Sequence, residues 1–117
     1  MSKFTDPNGV KKGMRNNSSK TKLSMILEAK CALEGAARVM VYGEQKYPRS
    51  NWREGLPMTE IVDSLTRHLT AFMSGETLDS ESGLPHVDHL LCNAIFLSEM
   101  AAIRPDLDDR TTKTETK

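Results

Sequence analysis

The chain has three histidines, and two of them, His86 and His89, stand three residues apart with Asn93 four further on. At helical spacing these three share one face, and the same face continues as Phe96, Met100 and Ile103. A stripe that is apolar in its second half and polar in its first needs partners for its polar groups, which predicts a polar cavity at the start of this helix. The plainer reading is a satisfied network that fixes helix register. Directly upstream runs GETLDSESGLPH, with Glu76, Asp79 and Glu81 within six positions. Clustered hard oxygen ligands suit Mg2+ or Mn2+, and those ions suit phosphate substrates. An isolated run of this kind is most often a solvated acidic loop. Its place between a helix bearing Arg67 and His68 and the His86/His89 face is what points to a site. Taken singly, His68 reads as a packed, hydrogen-bonded residue.

A second concentration lies in YGEQKYPRSNWREG, with the cations Lys46, Arg49 and Arg53, the aromatics Tyr47 and Trp52, and Asn51. Cations clamp a polyphosphate, aromatic faces stack on a base, and an amide reads a base edge or a sugar. The alternative is an ordinary loop pinned by its aromatics; the chain's single Trp in a loop favours binding. There is no GxxxxGK[ST], GxGxxG or HExxH motif, and no serine sits in a nucleophile-elbow context. Cys31 and Cys92 fall mid-helix, where a nucleophilic thiolate is poorly supported.

The elements that must position these residues read as helices. Leu23 to Tyr42 carries Ile26, Leu33, Ala37, Met40 and Val41 at helical spacing and stops at Gly43. A second helix follows Pro57, with Thr59 as its N-cap and a stripe of Ile61, Leu65, Leu69, Phe72 and Met73 up to Gly75. The third begins near Pro85 and runs to about Ile103, before Pro105. No window alternates like a half-buried strand, so the expected class is all-α, a small bundle of about three main helices. Residues 1–22 are polar and basic, with Lys3, Lys11, Lys12, Arg15, Lys20 and Lys22 against Asp6, and read as a flexible arm. Residues 104–117 read as a flexible polar tail, leaving 23–103 as the folded domain. A core this thin predicts completion by self-association into a dimer or tetramer.

Composition narrows the function classes. The 117 residues suffice for one domain, and 38% hydrophobic against 27% charged allows a modest core. Sixteen basic and sixteen acidic residues give a net charge of +0, which argues against a bulk nucleic-acid binder. With mean hydropathy −0.49, no apolar run approaches the roughly 20 residues of a membrane span, and the first residues lack the apolar stretch of a signal peptide. Two distant cysteines fit reduced, half-buried thiols of a cytoplasmic protein.

In order and without large gaps, VYGEQKY, NWREG, RHLTAFMSGE, DSESGLPHVDH and the Asn93/Phe96/Leu97 tail resemble the phage and bacterial family described as the dATP/dGTP diphosphohydrolase N-terminal domain. The resemblance covers about Ala32 to Phe96. It implies a phage nucleotide-pool enzyme that splits a purine deoxynucleoside triphosphate into monophosphate and pyrophosphate. That family is similar in spirit to the all-α MazG-like pyrophosphohydrolases, which hold Mg2+ with an ExxE and an ExxD. Glu76 and Asp79 form an ExxD, but no ExxE precedes them: Glu28 and Glu34 are six apart, and only Glu34 falls in the matching stretch. Histidines replacing part of that set would admit Mn2+ or Zn2+.

The leading expectation is therefore a metal-dependent hydrolase. Glu76, Asp79 and Glu34 would hold the ion; His86, His89 and Glu81 would act on the attacking water. Lys46, Arg53 and Arg67 would meet the phosphates, and Tyr47, Asn51, Trp52, His68 and Asn93 complete the substrate site. The missing ExxE motivates an alternative, a non-catalytic protein that sequesters or senses a nucleotide, and the basic arm a third, a helical adaptor.

Overall fold

A computed structural model describes residues 13–16 and 18–111. The expected basic arm therefore falls largely outside the described residues, as do 112–117 of the expected tail. The described residues form three α-helices: α1 Lys30–Gly43, α2 Met58–Met73 and α3 His86–Ile103. Both α1 and α2 pack on α3. The class is all-α as expected; among the described residues the only β pairing is one isolated bridge, between Leu78 and Pro85. No described helix is long and apolar enough to cross a membrane.

Being the central helix explains the pattern of α3. His86, His89, Cys92 and Met100 are buried, and Leu90, Leu91, Ala94 and Ile95, which lie off their stripe, are half-buried, as expected of a helix covered from two sides. The anticipated line holds through His86, His89 and Met100, with Asn93 and Phe96 half-buried, and fails at Ile103, which is exposed. On α2 the buried line begins at Met58 and Ile61 and continues through half-buried Leu65 and His68; Leu69, Phe72 and Met73 are exposed. Gly35 is where α1 approaches α3, since a Cβ there would collide with the Asp88 carboxylate.

Several boundaries differ from the sequence expectation. The first segment is not one helix. Leu23–Glu28 is a 3-10 turn, Ala29 leaves helical geometry at φ −87° and ψ 57°, and α1 starts afresh at Lys30. Periodicity reports a face without reporting what covers it, and Leu23, Met25, Ile26 and Leu27 are all exposed. Cys31 is exposed too, rather than half-buried, while Cys92 is buried.

Thr59 is not the N-cap either: α2 starts at Met58 behind Pro57, and Thr59 donates its N–H and its hydroxyl to Asp109, at 3.0 and 2.6 Å. A carboxylate from the far end of the chain thus serves the open N–H groups of α2. The tail is engaged in other ways as well. Arg104 donates to the Glu54 carbonyl at 3.0 Å and grips Asp106 with two bonds, and Leu107 packs on Met58, Ile61 and Met100. Residues 104–109 therefore close the end of the core instead of trailing from it, because Leu107 is apolar enough to hold a polar segment down.

Candidate metal centre and nucleotide cleft

The turn after α2 determines where the acidic loop goes. Gly75, at φ 103°, and Glu76 return their N–H groups to Phe72 and Ala71, both at 3.0 Å, a Schellman end that only glycine makes without strain. The chain then folds back on itself: Asp79 N–H donates to the Leu84 carbonyl at 2.8 Å, and His86 N–H to the Thr77 carbonyl at 2.9 Å. The acidic stretch is thereby tied to the first turn of α3.

All three histidines converge there. The His68 and His86 Nδ1 atoms lie 2.9 Å apart, and His86 Nε2 lies 2.6 Å from Glu76 Oε1. The His89 ring stacks on that of His68, with centroids 4.3 Å apart and planes within 4°. His68, Asp79 and His86 each offer one ligand atom within 4.8 Å of the others. Donors that share an ion tetrahedrally at bonds of about 2.1 Å sit about 3.4 Å apart, so two imidazoles and a carboxylate would hold a divalent ion after drawing in by about an ångström.

Asp79 accepts the Ser82 N–H at 2.8 Å, and Ser82 Oγ lies 2.7 Å from His89 Nε2. Asp79 approaches this same nitrogen, at 4.0 Å, rather than the far side of the ring. Asp79 therefore does not stand opposite Ser82 across the ring, where the acid of a serine–histidine relay stands.

Burial sets the protonation states. It pushes His68 below the ordinary imidazole range, helped by His89, and pushes His89 down as well against the pull of Asp79. Burial acts on Asp79 in the opposite sense, but hydrogen bonds from Ser82 outweigh it and hold that carboxyl below its usual value.

His89 also lines a cleft of about 740 Å³ between the end of α1, the first linker and the middle of α3. That volume suits a nucleotide-sized ligand. Lys46, Tyr47, Asn51, Trp52 and Asn93 all border it. Ser50, held at φ 62°, turns the chain into the 3-10 turn Asn51–Glu54 that presents Asn51 and Trp52.

Three of these side chains, Trp52, Lys46 and Asn93, are already engaged, as is Arg53 beside them. Trp52 stacks on Phe96, with centroids 4.6 Å apart, and Arg53 pairs with Glu99 at 3.1 Å. Lys46 lies 3.6 Å from Glu81, which joins the linker to the acidic loop. Asn93 donates to the His89 carbonyl at 3.0 Å and to Ser64 Oγ at 3.1 Å. Arg67 is exposed on α2 beside His68, and Glu34 is exposed on α1, outside the histidine cluster.

Sequence reasoning missed Ser82, Ser64 and Tyr42. Ser82 had a signal in its spacing, three residues after Asp79, which is the geometry of an Asp side chain capping a following N–H. Tyr42 meets His89 edge-on at 6.3 Å, a contact with no counterpart in sequence spacing.

Fold and site together define a small all-α domain with a candidate metal centre beside a nucleotide-sized cleft. The family described as dATP/dGTP diphosphohydrolase, N-terminal, matches residues 10–110, and the chain belongs to it. The match runs through the packed segment after Arg104, in keeping with its place in the core. A dATP/dGTP diphosphohydrolase of Salmonella phage PMBT28 is 35% identical over 98 residues, covering 84% of this chain and 33% of the relative. The chain thus spans about a third of the length of that relative. No solved structure matches.

Proposed function

We propose that this chain hydrolyses purine deoxynucleoside triphosphates to the monophosphate and pyrophosphate, as a phage enzyme acting on the nucleotide pool of the host cytoplasm. The observation that supports this most is the double placement of His89, whose ring borders the cleft and also stacks on the histidine cluster. A nucleoside in the cleft would place its phosphates toward that cluster. The name of the phage relative brings dATP and dGTP to this reading.

The residues divide by what they are free to do. Tyr47 and Asn51 are exposed at the cleft and contact the nucleoside. Both amide hydrogens of Asn93 are engaged, which leaves its carbonyl oxygen to accept from a base edge. Trp52 shapes the cleft wall through Phe96, and Arg53 braces it through Glu99. Lys46 and Arg49 supply positive charge at the rim, and Arg67 adds to it near His68.

His68, His86 and Asp79 would hold the divalent ion, with Glu76 behind His86. An ion bound there supplies Lewis acidity toward a phosphate oxygen and lowers the pKa of water. His89, kept neutral near pH 7 by burial, accepts a proton from the water that attacks the α-phosphorus. The bond to the β-phosphate oxygen then breaks and pyrophosphate leaves. Self-association belongs to the same reading, supported by the exposed Leu23, Met25, Ile26 and Leu27.

The test is to incubate purified chain with each of the four dNTPs and Mg2+ or Mn2+. Pyrophosphate from dATP and dGTP, lost in His89→Ala, is the expected result. Absence of pyrophosphate from every nucleotide with both metals would remove the proposal.

A further inference from the structure

We propose that the cluster is a two-histidine, one-carboxylate centre selective for a transition-metal divalent ion over Mg2+, and that Glu76 is a positioning residue for His86 instead of a ligand. This deepens the metal-dependent reading above and rests on it.

The inference starts from the two ends of one buried ring. The His86 side chain is 3% exposed, with Nε2 2.6 Å from a Glu76 carboxylate oxygen and Nδ1 2.9 Å from His68 Nδ1. A carboxylate only accepts hydrogen bonds, so Nε2 carries the proton and the Nδ1 of the neutral ring is left with a bare lone pair. That lone pair faces His68 Nδ1 at 2.9 Å, and His68, Asp79 and His86 each offer one ligand atom within 4.8 Å of the others.

A histidine whose far N–H is held by a carboxylate is the usual form of a metal ligand, since the hydrogen bond fixes the tautomer and raises basicity. Glu76 is committed to that bond by its 2.6 Å separation, and the compact group of possible ligands comprises His68, Asp79 and His86 without it. Two imidazoles and one carboxylate suit Mn2+, Co2+ or Zn2+. Mg2+ demands octahedral oxygen ligation and keeps its water, so a nitrogen-rich set is a poor site for it. In the free protein the proton on His68 Nδ1 occupies the gap between the rings. To hold an ion at Nδ1, His68 would take the tautomer protonated at Nε2, which leaves the charge of the ring unchanged.

The experiment is a titration of the purified full chain with Co2+, followed by its visible d–d absorption, with Zn2+, Mn2+ and Mg2+ as competitors. Circular dichroism checks the fold of each variant. The expected result is one saturable Co2+ site, displaced by Zn2+ and left in place by a large excess of Mg2+. His86→Asn and His68→Gln should each abolish it. Glu76→Ala should weaken it by about 10–100-fold, the usual effect of losing such a partner. Glu76→Gln, whose carbonyl still accepts the Nε2–H, should retain most of the binding.

Equal competition by Mg2+ would overturn the selectivity. Loss of binding in Glu76→Gln as complete as in His86→Asn would make Glu76 a ligand and overturn the positioning role, as would a folded Glu76→Ala variant that binds unchanged. Co2+ binding without turnover of any nucleotide would leave the centre standing and remove the hydrolase. Turnover with Mg2+ and Co2+ binding insensitive to His86→Asn would remove the centre alone.

Discussion

Replacing Trp52 with Ala separates a structural use of this residue from a nucleotide-stacking one. In the fold the indole is half-buried, lies on Phe96 at 4.6 Å with planes 24° apart, and has the Arg53 guanidinium 5.5 Å from its centre. About two-thirds of a Trp surface of about 200 Å² is thus covered, worth about 3 kcal/mol at ~25 cal/mol/Å². The aromatic pair adds about 1 kcal/mol. A loss of about 4 kcal/mol is a large share of the roughly 5–15 kcal/mol typical of a domain. It should lower the urea midpoint by about 1–4 M at a typical slope of ~1–3 kcal/mol/M. Urea unfolding followed by circular dichroism reads this directly, and Trp52→Phe should recover more than half of the loss. A Trp52→Ala protein with an unchanged midpoint but a KM for dGTP raised tenfold or more would refute the reasoning. In that case the indole would serve the base and not the wall.

Three further outcomes follow from the same geometry. Burial pushes the Cys92 thiol up to about 12 while Cys31 is exposed, so a thiol reagent at pH 8 should modify one cysteine per native chain and two after denaturation. Gly35→Ala gains about 1 kcal/mol of helix propensity but drives a methyl into Asp88, an overpacking cost of ~1–3 kcal/mol. A net drop in Tm, relieved in the Gly35→Ala/Asp88→Ala pair, is expected. His68 and His89 bind protons less readily in the fold than the ordinary imidazole at 6.5, so the unfolded chain takes up more protons below that pH. Their contribution is fully present above about pH 6.5 and is lost as the pH falls toward the folded values. Tm should therefore fall between pH 7.5 and pH 5, and less so in His68→Gln.

The sequence carried the helices through their periodicity and punctuation: Pro57, Gly75, Pro85 and Pro105 bracket α2 and α3 to within a residue or two. It could not place the break at Ala29, because the apolar spacing of Leu23 to Leu27 reads the same with or without a covering surface. It also missed the close of the core by Leu107 and Asp109, since one apolar residue in a polar tail gives no periodic signal. At the site, the convergence of the acidic loop on His86 and His89 was legible because a short loop between two helices must return to the second helix's start. The engagement of Trp52 by Phe96 and of Arg53 by Glu99 was not, as those partners lie more than forty residues away. Nor was the exposure of Glu34, which depends on which face of α1 meets α3.

Because the chain has three histidines and all of them sit in one cluster, 1H–13C correlation of the ring Cε1–H groups in histidine-labelled protein yields three signals that report on the whole site. Zn2+ should shift the His68 and His86 signals most. Subsequent addition of a dATP or dGTP analogue with a non-hydrolysable α–β bridge should then shift His89, whereas the corresponding pyrimidine analogue should do so only weakly. Three signals indifferent to the ion and to every nucleotide would contradict a metal centre beside a nucleotide cleft.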